Sequence, residues 1–174
     1  MCAIMKPFCW LLAAVMFLFS YDIYSFVPIQ EEIIQNFREG DYLKVEASIN
    51  PRRLSRGEEG KLILKFKLKE GILLSPHPFF SIELSPNEAL VFPKDFFSAT
   101  DLDIQSEENN GTEFLNVEED IEIPFTVILD AERGDHILEG KIKYFAYSLE
   151  QEWFLKNTID FSAPFYLRNR SSKN

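Results

Sequence analysis

The chain has 174 residues, of which 46% are hydrophobic and 26% charged. That is enough apolar content for one domain with a real core, and too much for a disordered chain. A formal net charge of -10 repels phosphate backbones and argues against nucleic acid as a partner.

Residues 1–25 follow the order of a secretory signal peptide. One cation, Lys6, precedes an unbroken apolar stretch from Phe8 to Phe19, and a more polar stretch follows up to Ser25. The apolar run is short for a membrane span. The alternative is an uncleaved anchor held by residues 8–19, the one route to a membrane in this reading. Either way the remainder of the chain is expected to be exported. Both cysteines, Cys2 and Cys9, lie in this leader, so the exported part has no thiol and depends on its core alone.

Residues 26–40 place Ile29, Ile33, Ile34 and Phe37 at helical spacing, with Pro28 near the start and Gly40 past the end. This predicts a short amphipathic helix or a tether. From Asp41 the apolar period becomes two. Leu43, Val45, Ala47 and Ile49 form a first row, broken at Asn50-Pro51. Leu62, Leu64, Phe66 and Leu68 then alternate with Lys61, Lys65, Lys67 and Lys69, Ile63 being the exception, which predicts a strand with one core face and one wet face. The lysines fit a solvated face or a protected edge.

Pro76 and Pro78 exclude a helix after Gly71, so a short strand, a loop and a strand over Phe80 to Leu84 are expected, then a short strand from Ala89 to Phe92. Asp101 to Gly111 is polar and acidic and reads as a surface loop with a turn at Asn109-Asn110-Gly111. Ile121, Ile123, Phe125, Val127 and Leu129 form another row, with Pro124 on its reverse marking an edge or a bulge. Asp130 to Asp135, which includes Gly134, reads as a hairpin turn. Leu138, Gly140, Ile142, Tyr144 and Ala146 share the next face. A final strand is expected from Trp153 to Phe161, with Pro164 to Leu167 closing the fold and a polar tail over 168–174.

Roughly seven to nine short strands separated by turns predict an all-β, immunoglobulin-like antiparallel β-sandwich over residues 41–167. The chain has only two histidines, His77 in a Pro-flanked loop and His136 in or after a turn, both expected to be exposed. They are too few for a zinc cluster, and no elbow sequence supports a Ser-His-Asp triad. The carboxylates of Glu118 to Asp120 lack a pattern that would build an oxygen cage for calcium. The reading is therefore a non-enzyme with no cofactor and no metal.

Two segments carry a resemblance. Gly71-Ile72-Leu73-Leu74-Ser75-Pro76-His77-Pro78 is similar to the Gly-Trp-His-Ile-Asn-x-x-x-Pro element of the N-terminal periplasmic domain of DsbD-type thiol:disulfide interchange proteins, the disulfide bond corrector family. The run from Asp135 to Tyr147 resembles that family's strand leading to its first redox cysteine. The resemblance extends from about Tyr42 to Leu167. It implies an immunoglobulin-like fold, a periplasmic or cell-envelope location and an envelope protein as partner. Its cysteine positions fall on Tyr147 and on Glu152 or Trp153, neither of which is Cys, and Ile72 and Leu73 replace the family's Trp and His. Exchange of a disulfide needs an attacking thiolate, so the redox activity is expected to be lost. The resemblance leaves a scaffold and a binding surface around Tyr147, Glu152, Trp153 and Phe154, unless those rings fill the core. The expected function is a non-catalytic exported binding or accessory domain. The alternative is a structural or adhesive envelope sandwich unrelated to thiol exchange.

Overall fold

Alternation with a period of two is what the backbone follows. The computed structural model describes residues 41–109 and 111–168, which belong to one compact unit. The expected signal segment, the helix or tether over 26–40 and tail residues 169–174 lie outside the described residues. Twelve strands form among those described: β1 (Leu43–Asn50), β2 (Arg53–Ser55), β3 (Glu59–Leu68), β4 (Ile72–Ser75), β5 (Ser81–Leu84), β6 (Leu90–Val91), β7 (Phe96–Ser98), β8 (Ser106–Asn109), β9 (Thr112–Leu115), β10 (Ile121–Val127), β11 (Gly134–Ser148) and β12 (Phe154–Arg168). A single 3-10 turn spans Thr100–Leu102.

The strands make an immunoglobulin-like sandwich. One sheet has the order β1-β3-β10-β6. The other has the order β2-β12-β11-β5-β7, with β4 also paired to β11. β8 and β9 form a separate two-stranded ribbon. Pairing is antiparallel throughout except between β2 and β12. The described chain enters the first sheet as β1, breaks at Asn50-Pro51 and continues in the second sheet as β2, beside β12.

The core lies between the two sheets. β3 and β10 supply Leu62, Leu64, Phe66, Ile121, Ile123, Phe125 and Val127, and these face Leu138, Ile142, Tyr144, Phe161 and Phe165 from β11 and β12. The buried Tyr144 hydroxyl is pushed up to about 12, first by loss of water and then by the nearby Asp41 and Tyr42. The lysine row of β3 is wet, as expected. Lys61 pairs with Glu122, Lys65 with Asp120 at 2.8 Å and Lys67 with Glu46 at 3.7 Å. It does not guard an edge, because β3 has β1 on one side and β10 on the other.

Four further expectations are corrected. Asp130 to Asp135 is not a hairpin turn but a link between sheets, since β10 lies in one and β11 in the other. It is anchored by the Ala131 carbonyl, which accepts from Arg56 Nε at 2.7 Å. The row ending at Leu129 stops at Val127, where the chain leaves the sheet, and Leu129 is exposed. Asp101 to Gly111 is not a plain loop, because Thr100–Leu102 makes a 3-10 turn and β8 pairs with β9. The closing segment is no separate piece: β12 runs unbroken from Phe154 to Arg168 through Pro164.

Both prolines inside strands sit where no ladder bond is lost. The Tyr166 N–H donates to Arg52, on the side of β12 away from β11, so Pro164, two residues earlier, also turns its nitrogen away from β11. The Val127 N–H donates to Glu58, so Pro124, three residues earlier, directs its nitrogen away from β3 to a stretch of β10 with no partner strand. Arg168, expected in the tail, is held in β12 by its Nε bond to Ser55 Oγ at 3.1 Å.

Gly140 is required by its neighbours. A Cβ there would stand 2.7 Å from Phe161 Cε1 and 2.8 Å from the Glu83 carbonyl oxygen. The aromatic ring of β12 thus lies across the bare backbone of β11, and β5 closes in from the other side.

Candidate functional site

The β11–β12 hairpin presents different residues on its two faces. Cα partners across an antiparallel ladder share a face, so Tyr147 with Phe154, and Phe145 with Lys156, point out of the sandwich. Ser148 and Trp153 form the next pair, and the Ser148 N–H donates to the Trp153 carbonyl at 3.1 Å. Ser148 is buried, and Trp153 turns to the core side, where its ring meets Tyr42 at 4.8 Å. Its Nε1–H donates to Gln151 Oε1 at 2.8 Å.

The tip is fixed by its backbone. The Glu152 N–H donates to the Ser148 carbonyl at 3.0 Å, and Glu152 takes a left-handed conformation, φ 52°. The Leu149 N–H donates to Gly71 at 3.0 Å, which ties the tip to the start of β4.

The four residues singled out by resemblance therefore do not converge. Tyr147 and Phe154 share the outer face, Trp153 joins the core side, and Glu152 is exposed at the tip. Opposite Tyr147 stands Phe154, not Glu152 or Trp153.

What gathers on the outer face is an aromatic platform. Phe145 and Phe154 stack with centroids 4.8 Å apart and planes at 16°. Phe79, from the loop before β5, meets Phe145 edge-on at 5.8 Å. Lys156 Nζ lies 5.6 Å from the Phe79 centroid. Phe154 is 49% exposed and Phe79 39%. Phe145, Phe79 and Lys156 were not singled out from the sequence. A signal for Phe145 was present, since it is an apolar residue on the reverse of the Leu138 to Ala146 row, where the wet face is expected. Nothing local marks Phe79.

The histidines lie elsewhere. His77 is exposed, with Nε2 3.8 Å from a Glu113 carboxylate oxygen. His136 follows the 130–135 link as expected, half-buried in β11, with its ring stacked on Phe165 at 5.3 Å and Nε2 2.9 Å from the Glu132 carbonyl. Among the described residues no group of three or more His, Cys, Asp or Glu side chains is placed to hold a metal. Among the same residues no helix is long and apolar enough to cross a membrane.

The hairpin register has a direct chemical test. Ser148 and Trp153 are the hydrogen-bonded pair, so Tyr147 and Phe154 form the closer, non-bonded pair, with Cα atoms about 4.5 Å apart. That spacing suits a disulfide. Tyr147→Cys with Phe154→Cys is expected to oxidise to an internal bond in a folded protein. Tyr147→Cys with Trp153→Cys is expected to stay reduced, because those side chains leave opposite faces. Peptide mapping without reductant reads the outcome, and the reverse pattern would mean a hairpin shifted by one residue.

No protein-family model matches the chain. No curated protein matches it either. Among solved structures it is similar to a cohesin module from a family 33 glycoside hydrolase of Clostridium perfringens, with TM-score 0.43, 10% identity, and coverage of 74% of this chain and 98% of that one. It is also similar to alpha-2-macroglobulin from Escherichia coli, solved from domain MG7 to the C-terminus, with TM-score 0.41, 15% identity and coverage of 74% and 17%. A third is BcpA, the major pilin subunit of Bacillus cereus, with TM-score 0.41, 9% identity and coverage of 74% and 41%. The chain thus spans less than half of the last two structures, and these likenesses assign it no activity.

Proposed function

We propose that the chain is a non-catalytic, exported binding or accessory domain whose contact surface is the platform of Phe79, Phe145, Tyr147 and Phe154. The observation that carries this reading is the stack of half-buried Phe145 with exposed Phe154 on the outer face of a sheet, beside exposed Phe79. Rings in a folded domain are normally covered, and a clustered exposed set fits a surface that a partner completes. Export rests on the leader pattern of residues 1–25. The resemblance to the DsbD N-terminal domain makes an envelope protein the partner class, with no thiol chemistry, because the positions resembling its cysteines hold Tyr147 and Glu152 or Trp153.

The test uses the double variant Phe79→Ala and Phe154→Ala in cells that make the protein. Both side chains are substantially exposed, so the thermal midpoint is expected to move by only a few degrees. Proteins that cross-link to the wild type in the envelope are expected to fall by about tenfold, the loss expected when a central aromatic contact is removed. Equal cross-linking by a folded double variant would overturn the platform reading.

A further inference from the structure

The negative charge of this protein is concentrated in one place. Residues 101–122 hold nine Asp and Glu and no Lys or Arg, whereas the rest of the described chain is nearly neutral, with 15 Asp and Glu against 14 Lys and Arg. All nine carboxylates are exposed. The segment comprises the 3-10 turn, the β8–β9 ribbon and the start of β10. Lys94, Lys65 and Lys61 from outside it pair with Asp101, Asp120 and Glu122. Among the described residues Asp103, Glu107, Glu108, Glu118 and Glu119 make no ion pair.

An apolar groove runs through this acidic segment. The β8–β9 ribbon packs beside β4 and, with β3, encloses about 300 Å³ lined by Leu68, Leu73, Phe114 and Val117, with the buried Phe66 and Leu115 beneath. The exposed Glu107 and Glu118 line it too, bridged by Asn116, whose Nδ2 donates to Glu107 and whose Oδ1 accepts the Glu118 N–H at 3.0 Å. Glu107 lies on the ribbon and Glu118 on the segment leading into β10, so carboxylates flank the groove from two elements. The groove borders the platform, because Leu73 is the Cα partner of Tyr147.

We propose that this groove receives an extended basic segment of a partner protein, seating one apolar side chain between flanking Lys or Arg residues. The apolar lining excludes a purely ionic contact, because leaving it wet gives up the burial of apolar surface. Carboxylates on two elements select a ligand with several cations spaced along a chain rather than a single small cation. A second copy docking through the same face is the wrong occupant, since its own nine carboxylates would meet these, and the rest of the described chain, nearly neutral, offers no net positive charge. The inference stands on the charge distribution and the groove, independently of the platform.

Three amidated peptides test it against the full chain: KKLFKK, KKSSKK and EELFEE. Titration calorimetry is expected to show binding of KKLFKK only, weakening by about tenfold as salt rises from low to physiological strength. Glu107→Gln with Glu118→Gln, both exposed, is expected to weaken KKLFKK by about tenfold while leaving the fold intact. Phe114→Ala is expected to reduce KKLFKK to the level of KKSSKK. Equal binding of KKLFKK and KKSSKK would reduce the groove to electrostatic adsorption and overturn the proposal. Binding abolished by Phe79→Ala with Phe154→Ala, and untouched by the Glu107 and Glu118 changes, would place the peptide on the platform and overturn it as well. Loss through the glutamates alone leaves the platform reading untouched, so the two readings fail separately.

Discussion

Phe66→Ala is expected to lower stability by about 3–5 kcal/mol and the thermal midpoint by about 15 °C. The side chain sits on the core row of β3, is 9% exposed and meets Phe80 edge-on with centroids 6.2 Å apart. Alanine would remove the ring and leave a cavity whose walls are strands of both sheets, which cannot close in without breaking their ladders. The neighbour Lys67 gives the contrast. It lies on the wet row, and its pair with Glu46 at 3.7 Å is exposed, so Lys67→Ala is expected to change stability by less than about 0.5 kcal/mol. Chemical denaturation of both variants checks the assignment of faces. A loss below about 1 kcal/mol for Phe66→Ala would mean that the two rows are interchanged.

Gly140→Ala should do comparable damage by the opposite route, adding one carbon where none fits. The new Cβ would approach both the Phe161 ring and the Glu83 carbonyl, and neither can yield easily. Phe161 is itself buried, and the carbonyl belongs to a paired strand. Overpacking of this kind is expected to cost about 3 kcal/mol, or about 10 °C in thermal midpoint. Ser162→Ala, at an exposed position on the neighbouring strand, should change stability by less than about 0.5 kcal/mol in the same thermal melts. A Gly140→Ala midpoint close to the wild type would show that Phe161 does not lie over β11.

The rows that face the core were legible in the sequence because each has one buried and one wet side. Leu62 to Phe66 and Leu138 to Ala146 alternate with mostly polar neighbours, Ile63 and Phe145 excepted, and both rows proved to be core. The assignment of strands to sheets was not legible. A Gly-containing link such as 130–135 has the same local chemistry whether the chain folds back beside its own strand or crosses to the facing sheet, and only packing decides. The β8–β9 ribbon escaped notice because its strands are short and mostly polar, so the alternation has almost nothing apolar to mark it. The platform was half legible. Phe145 and Tyr147 are apolar or aromatic on a face that should be wet, but Phe79 arrives from a Pro-flanked loop whose place over β11 is a property of the fold. The exchange of Trp153 for Phe154 as the partner of Tyr147 comes from the tip, where Glu152 adopts a left-handed backbone that no local signal announces.

The parallel contact of β2 with the end of β12 bears on how the chain is made. Arg168 bonds to Ser55 across a separation of 113 residues. Ser55 in β2 is made 113 residues ahead of Arg168, so β2 has no strand to join until β12 has been made. Contacts this distant carry a large loop-closure cost and slow the search for the native state. Meanwhile the β11–β12 hairpin, joined by a short tip, is the cheapest local nucleus, and it too emerges only after β1 to β10 have been made. The sandwich therefore stays open until β12 has been made, the condition in which a polypeptide can still be threaded or captured before it closes.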